Sequence, residues 1–318
     1  MWKPVPLRQF ILKMHARCNL ACAYCYMYEA ADQSWRDSPR QMSAETLQRV
    51  GQRIAQHAYR HQLDKVEVIF HGGEPLLAGA STLTRAAATL RDTMPARTVV
   101  AFSMQTNGTL LDESALAELL RENIRIGISV DGDQSTHDRH RRTVAGAGSH
   151  AAVVRALHLL GGNDYRSLFA GVLTVIDLSA DPVSVYESLL EFAPPQMDFL
   201  LPHAHWSAPP PRHGAPHNYG YGEWLAEVFN RWYGAPRQET RVRLFGEVIN
   251  LLLGGASTTE QVGLSAAAMI VVNTDGSLEQ VDALRTTYSG AVQTALTVFD
   301  HDMDEVLRSS AVHHRHTG

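Results

Sequence analysis

The chain of 318 residues predicts an α/β fold, a partial (β/α)6 barrel followed by a short C-terminal α+β extension. Three observations point there. Strand-like and helix-like patterns alternate through about the first 200 residues. The strand-like runs carry few charges, as expected when helices cover a parallel sheet on both faces. All three cysteines sit just beyond the first strand, in the kind of loop where α/β sheets and barrels place their sites.

The elements follow in order. Strand-like runs are FILKMH (10–15), VEVIF (66–70), VVAFSMQ (99–105), RIGISV (125–130), FAGVLTVI (169–176) and MDFLLP (197–202). Helical patterns at 43–60, 82–93, 112–122, 149–161 and 182–193 separate them. Ser43, Asp112 and Asp181 stand near helix starts, where a short polar side chain caps free N–H groups. Six β-α units fall short of a closed eight-stranded barrel, so the barrel is partial. A composition break follows at PHAHWSAPPPRHGAPHNY (202–219), too rich in Pro and His for regular structure. It sets the predicted boundary between a core at 1–205 and an extension at 206–318. The extension offers helices at 222–233 and near 240–253, then MIVVNTDGSLEQV (269–281), two strand runs around an Asp-Gly turn. A helix near 303–310 and the polar tail HHRHTG finish the chain, which shows no internal repeat.

Composition narrows the function. With 45% hydrophobic residues the chain can bury a full core. A net charge of −5 and a pI near 6.3 lack the basic face of a nucleic-acid binder. No apolar run approaches the roughly 18 residues of a membrane span, and the start MWKPVPLRQ has no signal-peptide core. The expected setting is therefore cytoplasmic, where thiols stay reduced.

That setting constrains CNLACAYC (18–25), which holds Cys18, Cys22 and Cys25. A disulfide framework needs an even number and an oxidising compartment. A Cys22–Cys25 redox pair would leave Cys18 without a role. Three clustered thiols read as metal ligands rather than as small core residues grouped by chance. They can hold three irons of a [4Fe–4S] cube and leave the fourth iron open for a substrate or cofactor. A structural zinc site wants four protein ligands, and His15, His71 or a tail histidine (His313, His314, His316) would have to supply the fourth.

C-x3-C-x2-C with Tyr24 before the last cysteine resembles the radical S-adenosylmethionine (SAM) enzymes. HGGEPLL (71–77), SMQTNGTLLD (103–112) and ISVDGDQSTHDRHR (128–141) resemble that superfamily's second, third and fourth strand ends, in its peptide-modifying branch. That branch includes the anaerobic sulfatase-maturating enzymes. FILKMHARCNLACAYCYMYEAADQSWRDSPRQMS (10–43) and VVNTDGSLEQVDALRTTYSGA (271–291) are similar to a narrower group, the FxsB-type radical SAM/SPASM maturases. Those enzymes build cyclophane crosslinks in ribosomally made precursor peptides.

The resemblance implies a [4Fe–4S] cluster on Cys18, Cys22 and Cys25 with SAM at its open iron. Tyr24, Gly72, Gly73, Glu74, Asn107, Ser129 and Arg141 are implied around SAM: the glycines through close backbone approach, Glu74 on the methionine ammonium, Ser129 on the ribose and Arg141 on the carboxylate. Taken alone, Glu74 reads as a helix-start carboxylate, Asn107-Gly108 as a turn, and RHRR (139–142) as a solvated run. The chemistry implied is reductive cleavage of SAM to a 5′-deoxyadenosyl radical, which takes hydrogen from a peptide side chain. An electron donor such as flavodoxin or ferredoxin is implied as a partner. Oxidation or epimerisation of a peptide residue, and a non-catalytic peptide-binding protein, are the rival readings.

Two departures from the pattern stand out. The chain has no cysteine after Cys25, so the auxiliary clusters of SPASM enzymes have no ligands here, and the resemblance implies truncation, a fragment or a variant without them. Where related maturases have Cys-Asp after the hairpin, this chain has Val281-Asp282. The resemblance makes Asp282 an active-site base, turned toward the barrel mouth if strand alternation puts Val281 on the packed side. His203, His205 and Trp206 follow the sixth strand and are expected to face the mouth as a substrate-contacting loop, with metal binding the lesser reading.

Overall fold

A computed structural model describes residues 5–210, 220–259, 262, 263, 265, 266 and 268–312. The histidines of the tail lie outside these residues, as does the second half of the Pro/His-rich stretch, 211–219.

Strand β1 (Gln9–His15) leads through the cysteine loop to α1 (Ala44–Arg60) and β2 (Lys65–Gly72). Then come α2 (Ala80–Thr93), β3 (Val99–Thr106), α3 (Glu113–Arg121), β4 (Arg125–Ser129), α4 (Gln134–His140) and α5 (His150–Gly161). Strand β5 (Phe169–Val175), α6 (Pro182–Leu190) and β6 (Gln196–Leu200) complete the six β-α repeats. After them run α7 (Tyr221–Tyr233), β7 (Arg241–Val242), α8 (Arg243–Leu252), β8 (Met269–Val272), β9 (Ser277–Glu279), β10 (Gln293–Thr297) and α9 (Met303–Arg308).

The three capping expectations hold. Ser43 accepts from the Thr46 N–H, Asp112 from Ala115 and Asp181 from Ser184. Helix α6 stops at Leu190 rather than 193, just before Pro194 and Pro195, which exclude helical backbone. Helix α4 has no apolar stripe to betray it, because its buried residues are Thr136 and His137.

The ten strands form one open sheet in the order β10-β9-β8-β1-β2-β3-β4-β5-β6-β7. Strands β1 to β6 are parallel, and β8 joins β1 in parallel, with Gln9 to Leu12 facing Met269 to Val272. The sheet is not covered by helices on both faces. Burial alternates with period two: Val66, Val68 and Phe70 of β2 are fully buried, while Glu67, Ile69 and His71 between them are not. One face therefore packs under the helices, and the other faces the inside of the partial barrel. Register puts Lys13 beside His71, and Gln105 beside Gly127, on that inner face. Polar side chains are tolerated there because the barrel is open. Among the described residues, no helix is long and apolar enough to cross a membrane.

Candidate active site

The cysteine loop leaves the end of β1 and is held by its neighbours. Ala21 N–H donates to the Arg142 carbonyl at 2.7 Å and Ala23 N–H to that of His140 at 3.1 Å. A tight turn closes it, with Cys25 N–H on the Cys22 carbonyl at 3.0 Å and Glu29 N–H on that of Cys25 at 2.8 Å. All three thiols are free and half-buried. Burial pushes the Cys18 thiol up to about 12 and the Cys22 thiol to about 11, and raises Cys25 as well. Backbone N–H of Leu20 donates to Cys18 Sγ at 3.4 Å, and Asn107 Nδ2 lies 3.7 Å from the same sulfur.

The thiols are not gathered as a preformed single-ion site. Tetrahedral zinc with bonds near 2.3 Å needs sulfurs about 3.8 Å apart. Among the described residues, only His57, His61 and Asp304 form a trio of metal-donor atoms all within 4.8 Å of one another. The three thiols do not form such a trio.

The expected SAM residues converge on the same mouth, several with duties to the protein first. Gly72 (φ +133°) and Gly73 are needed by the fold itself. A Cβ at Gly72 would stand 2.3 Å from the His15 carbonyl, and one at Gly73 1.8 Å from the Tyr28 hydroxyl. Glu74 is fully buried and caps the short 3-10 turn Pro75–Ala78. Its Oε1 accepts from Leu76 N–H at 2.9 Å and the Thr106 hydroxyl at 2.7 Å, and its Oε2 from Asn107 N–H at 2.8 Å. It thus ties the end of β2 to the end of β3 and keeps one free lone pair, on Oε2. Asn107 Nδ2 donates to Asn19 Oδ1 at 2.9 Å, bracing the cysteine loop. Ser129 accepts from Gln105 Nε2 at 2.9 Å on the inner face.

Arg141 is not part of a solvated run. It is 8% exposed, with Nε on Asp131 Oδ2 at 2.8 Å and its guanidinium 5.5 Å from the Tyr24 ring centre. The Tyr24 hydroxyl donates to the same Asp131 oxygen. Asp131 therefore orients both groups beside Cys22, and Arg141's charge opposes the burial that raises that thiol. Only Arg139 and Arg142 of the run behave as surface residues.

Behind this cluster, His137 is fully buried, accepting from Asp131 N–H at Nδ1 (3.2 Å) with Nε2 2.9 Å from Ser149 Oγ. Ser149 Oγ in turn donates to the Arg141 carbonyl at 2.7 Å, so the ring is the neutral Nε2–H form. Burial, and then the Arg141 charge, lower it from 6.5 to about 4. An unfolded chain would take that proton first, so this stabilisation is full above pH 6.5 and lost as pH falls toward 4. Urea unfolding at pH 7 and at pH 4.5 should differ by up to about 3 kcal/mol from this source. His137→Gln should flatten the slope over that window, and an unchanged slope would assign the acid loss elsewhere.

Asp282 is the residue most altered by the structure. Strand alternation does not set its direction, because β9 ends at Glu279 and Asp282 opens a 3-10 turn. Its side chain is only 11% exposed and pairs with Lys13 Nζ at 2.7 Å and Arg285 Nε at 2.8 Å. Lys13 also reaches Glu279 at 2.9 Å, and Arg285 reaches Glu279 and Asp32. Three carboxylates thus share two cations in one buried network. Burial would raise the Asp282 pKa, but the Lys13 and Arg285 charges win and hold it well below the usual carboxylate range. Asp282 also bears on its inner-face neighbours, raising Tyr26 after burial has done so, and acting against the lowering of His71 by burial. His71 Nδ1 is buried without a hydrogen-bond partner. His203 meets Tyr26 edge-on at 4.7 Å, placing that loop at the mouth, while Trp206 is fully exposed and His205 pairs with Ala208.

Sequence reasoning missed Lys13, Tyr26, Gln105, Asp131 and Arg285. A lysine inside the apolar run FILKMH was the one available signal, since a buried cation needs a carboxylate partner.

A profile of the Radical SAM superfamily matches residues 12–181. A cysteine-type anaerobic sulfatase-maturating enzyme of Clostridium perfringens is 28% identical over 286 residues, covering 87% of this chain and 74% of its own. A serine-type anaerobic sulfatase-maturating enzyme of Bacteroides thetaiotaomicron is 32% identical over 156 residues, 49% of this chain and 36% of its own. In fold, the chain is similar to anSMEcpe with bound AdoMet, at TM-score 0.82 and 24% identity, covering 96% of this chain and 82% of that one. It is more distantly similar to Streptococcus suis SuiB bound to precursor peptide SuiA, at TM-score 0.63 and 12% identity, covering 98% and 66%.

Proposed function

The chain belongs to the Radical SAM superfamily, and from that premise we propose that it modifies a peptide side chain, beginning with removal of a hydrogen atom from carbon. Its cofactors are a [4Fe–4S] cluster and SAM. When bound, they supply a one-electron cleavage that yields a 5′-deoxyadenosyl radical. Cys18, Cys22 and Cys25 hold the cluster. Arg141, held at Nε by Asp131, offers the fork of its remaining N–H groups to the SAM carboxylate, and Ser129 lies within the inner face for the ribose. A one-electron donor of the flavodoxin or ferredoxin type completes the system.

The observation that carries the reading is the reach of Asp282. The C-terminal hairpin docks on β1 and delivers an ionised carboxylate to the barrel interior, near Tyr26, which follows Cys25 in the chain. A base at that point can take the proton that a substrate radical sheds when its second electron passes to an external one-electron acceptor, for which the oxidised form of the flavodoxin- or ferredoxin-type partner would serve. Peptide as substrate is supported by the sulfatase-maturating relatives and by related folds with bound peptides.

Crosslinking of two residues into a cyclophane is the form suggested by the segments at 10–43 and 271–291. Single-residue oxidation is the second reading, favoured by the 28% identity to the cysteine-type enzyme. Reconstituted, reduced protein with SAM should form 5′-deoxyadenosine, and more of it with a peptide that fits. Synthetic peptides bearing Cys, Ser, Thr or aromatic residues distinguish the outcomes by tandem mass spectrometry. A crosslink removes two hydrogens and silences fragmentation between the joined residues, one-residue oxidation leaves the fragments intact, and epimerisation leaves the mass unchanged. No 5′-deoxyadenosine with any donor would leave only a binding protein. Arg141→Ala should weaken SAM binding by about 1.5–3 kcal/mol with iron content unchanged.

A further inference from the structure

Away from the mouth, α1 and α9 bring His57, His61 and Asp304 together. The two histidines are four residues apart on one helix, so their rings share a face. His57 Nδ1 and His61 Nε2 each lie 2.8 Å from the same oxygen, Asp304 Oδ1. Asp304 stands in the first turn of α9, which the reciprocal caps of Asp302 and Glu305 fix in place. Its other oxygen is taken by Arg60, which also binds Asp302 at 2.9 Å. His57 is 2% exposed and Asp304 7%, with the Phe10 ring edge-on to His57.

As hydrogen bonds alone, this arrangement leaves a debt. Both rings must point an N–H at one oxygen, and His57 Nε2 is then a bare lone pair. That atom is buried and has no hydrogen-bond partner. A buried unsatisfied acceptor costs about 1–3 kcal/mol. Reversing the tautomer puts the proton on Nε2, and the Leu7 backbone is near enough to the ring to favour its protonation. A ligating histidine usually presents its second nitrogen in that way. The Nδ1 lone pair then needs a cation.

We propose that His57, His61 and Asp304 form a site for one divalent transition-metal ion, best suited to zinc, that fastens α9 to α1. Two imidazoles and a carboxylate are zinc ligands, and with water on the more exposed His61 side in the fourth position they make the open, three-ligand type of site rather than the closed four-ligand structural one. Bonds of about 2.0–2.1 Å place tetrahedral donors roughly 3.3 Å apart, so the 2.8 Å contacts must open by about half an ångström. Arg60 does not compete, since it holds Oδ2 and is itself 52% exposed. The site is independent of the thiols and takes no part in the reaction proposed above.

The test is zinc titration of the cluster-loaded chain by calorimetry, with iron measured before and after, and melting followed with and without zinc. One saturable equivalent and a rise in melting temperature are expected. His61→Ala, at a half-exposed position, should weaken binding at least about tenfold, the loss seen even when an outer partner is removed. Asp304→Asn should do the same, and neither should change iron content. Absence of saturable zinc binding, or equal binding by parent and His61→Ala, would reduce the trio to a hydrogen-bonded clasp and overturn the proposal.

Discussion

Replacing Cys18, Cys22 or Cys25 singly by Ala is expected to take iron from about four per chain, in anaerobically reconstituted parent protein, to a small fraction of that. Two thiolates cannot hold a cube against hydrolysis and loss. The structure adds a pH dependence. Burial keeps the empty thiols protonated, Cys18 up to about 12 and Cys22 to about 11, so assembly must expel protons as iron enters. Loading should therefore quicken as the reconstitution pH rises from 7 to 9. Iron assay and visible absorbance read both effects. Retention of iron by any one of the three variants, or stoichiometric zinc with no iron uptake by the parent, would refute the assignment.

Asp282→Asn is expected to leave 5′-deoxyadenosine formation near the parent level while cutting modified peptide by a factor of about 10²–10⁴, the usual weight of a positioned acid or base. Because Lys13 and Arg285 hold its pKa low, Asp282 is charged throughout the working range but weakly basic. It suits a strongly acidic proton, as on a substrate cation left by a second electron loss, and not a resting C–H bond. The substitution removes one of three carboxylates, and Glu279 and Asp32 still face the two cations. A folded variant is thus expected, and its melting curve separates lost chemistry from lost structure. Lys13→Met is the contrasting case. It strips a buried cation from two carboxylates and should destabilise by about 3–5 kcal/mol. Equal peptide turnover by Asp282→Asn and parent would return Asp282 to a purely structural role.

Signals within one element were readable in the sequence. Ser43, Asp112 and Asp181 announced their helices because a cap acts over three residues. The inner strand ends were legible from their motifs, and so was the cysteine loop. What escaped depended on neighbours distant in the chain. Lys13 and Glu279 are 266 residues apart, and no local pattern tells that β8 will lie beside β1. Arg141 was singled out only through the resemblance, because RHRR by itself carries no mark of which member turns inward. That choice is made by Asp131 and Tyr24 from other elements. Helix α4 hid for the opposite reason, since its buried contacts are made by polar side chains.

The pairing of β8 with β1 has a consequence for the order of events at the ribosome. Residues 9 to 15 are made first, yet one side of that strand gains its partner only when residues 269 to 272 emerge. Until then, a parallel sheet built from β1 to β6 presents an unprotected edge with apolar flanks, the geometry most open to pairing with another chain. Closing a loop that long costs little more entropy than closing one half its length, but it is late. Chains stalled before residue 269 should therefore be the aggregation-prone species during synthesis, and chains extended past residue 272 should be less so.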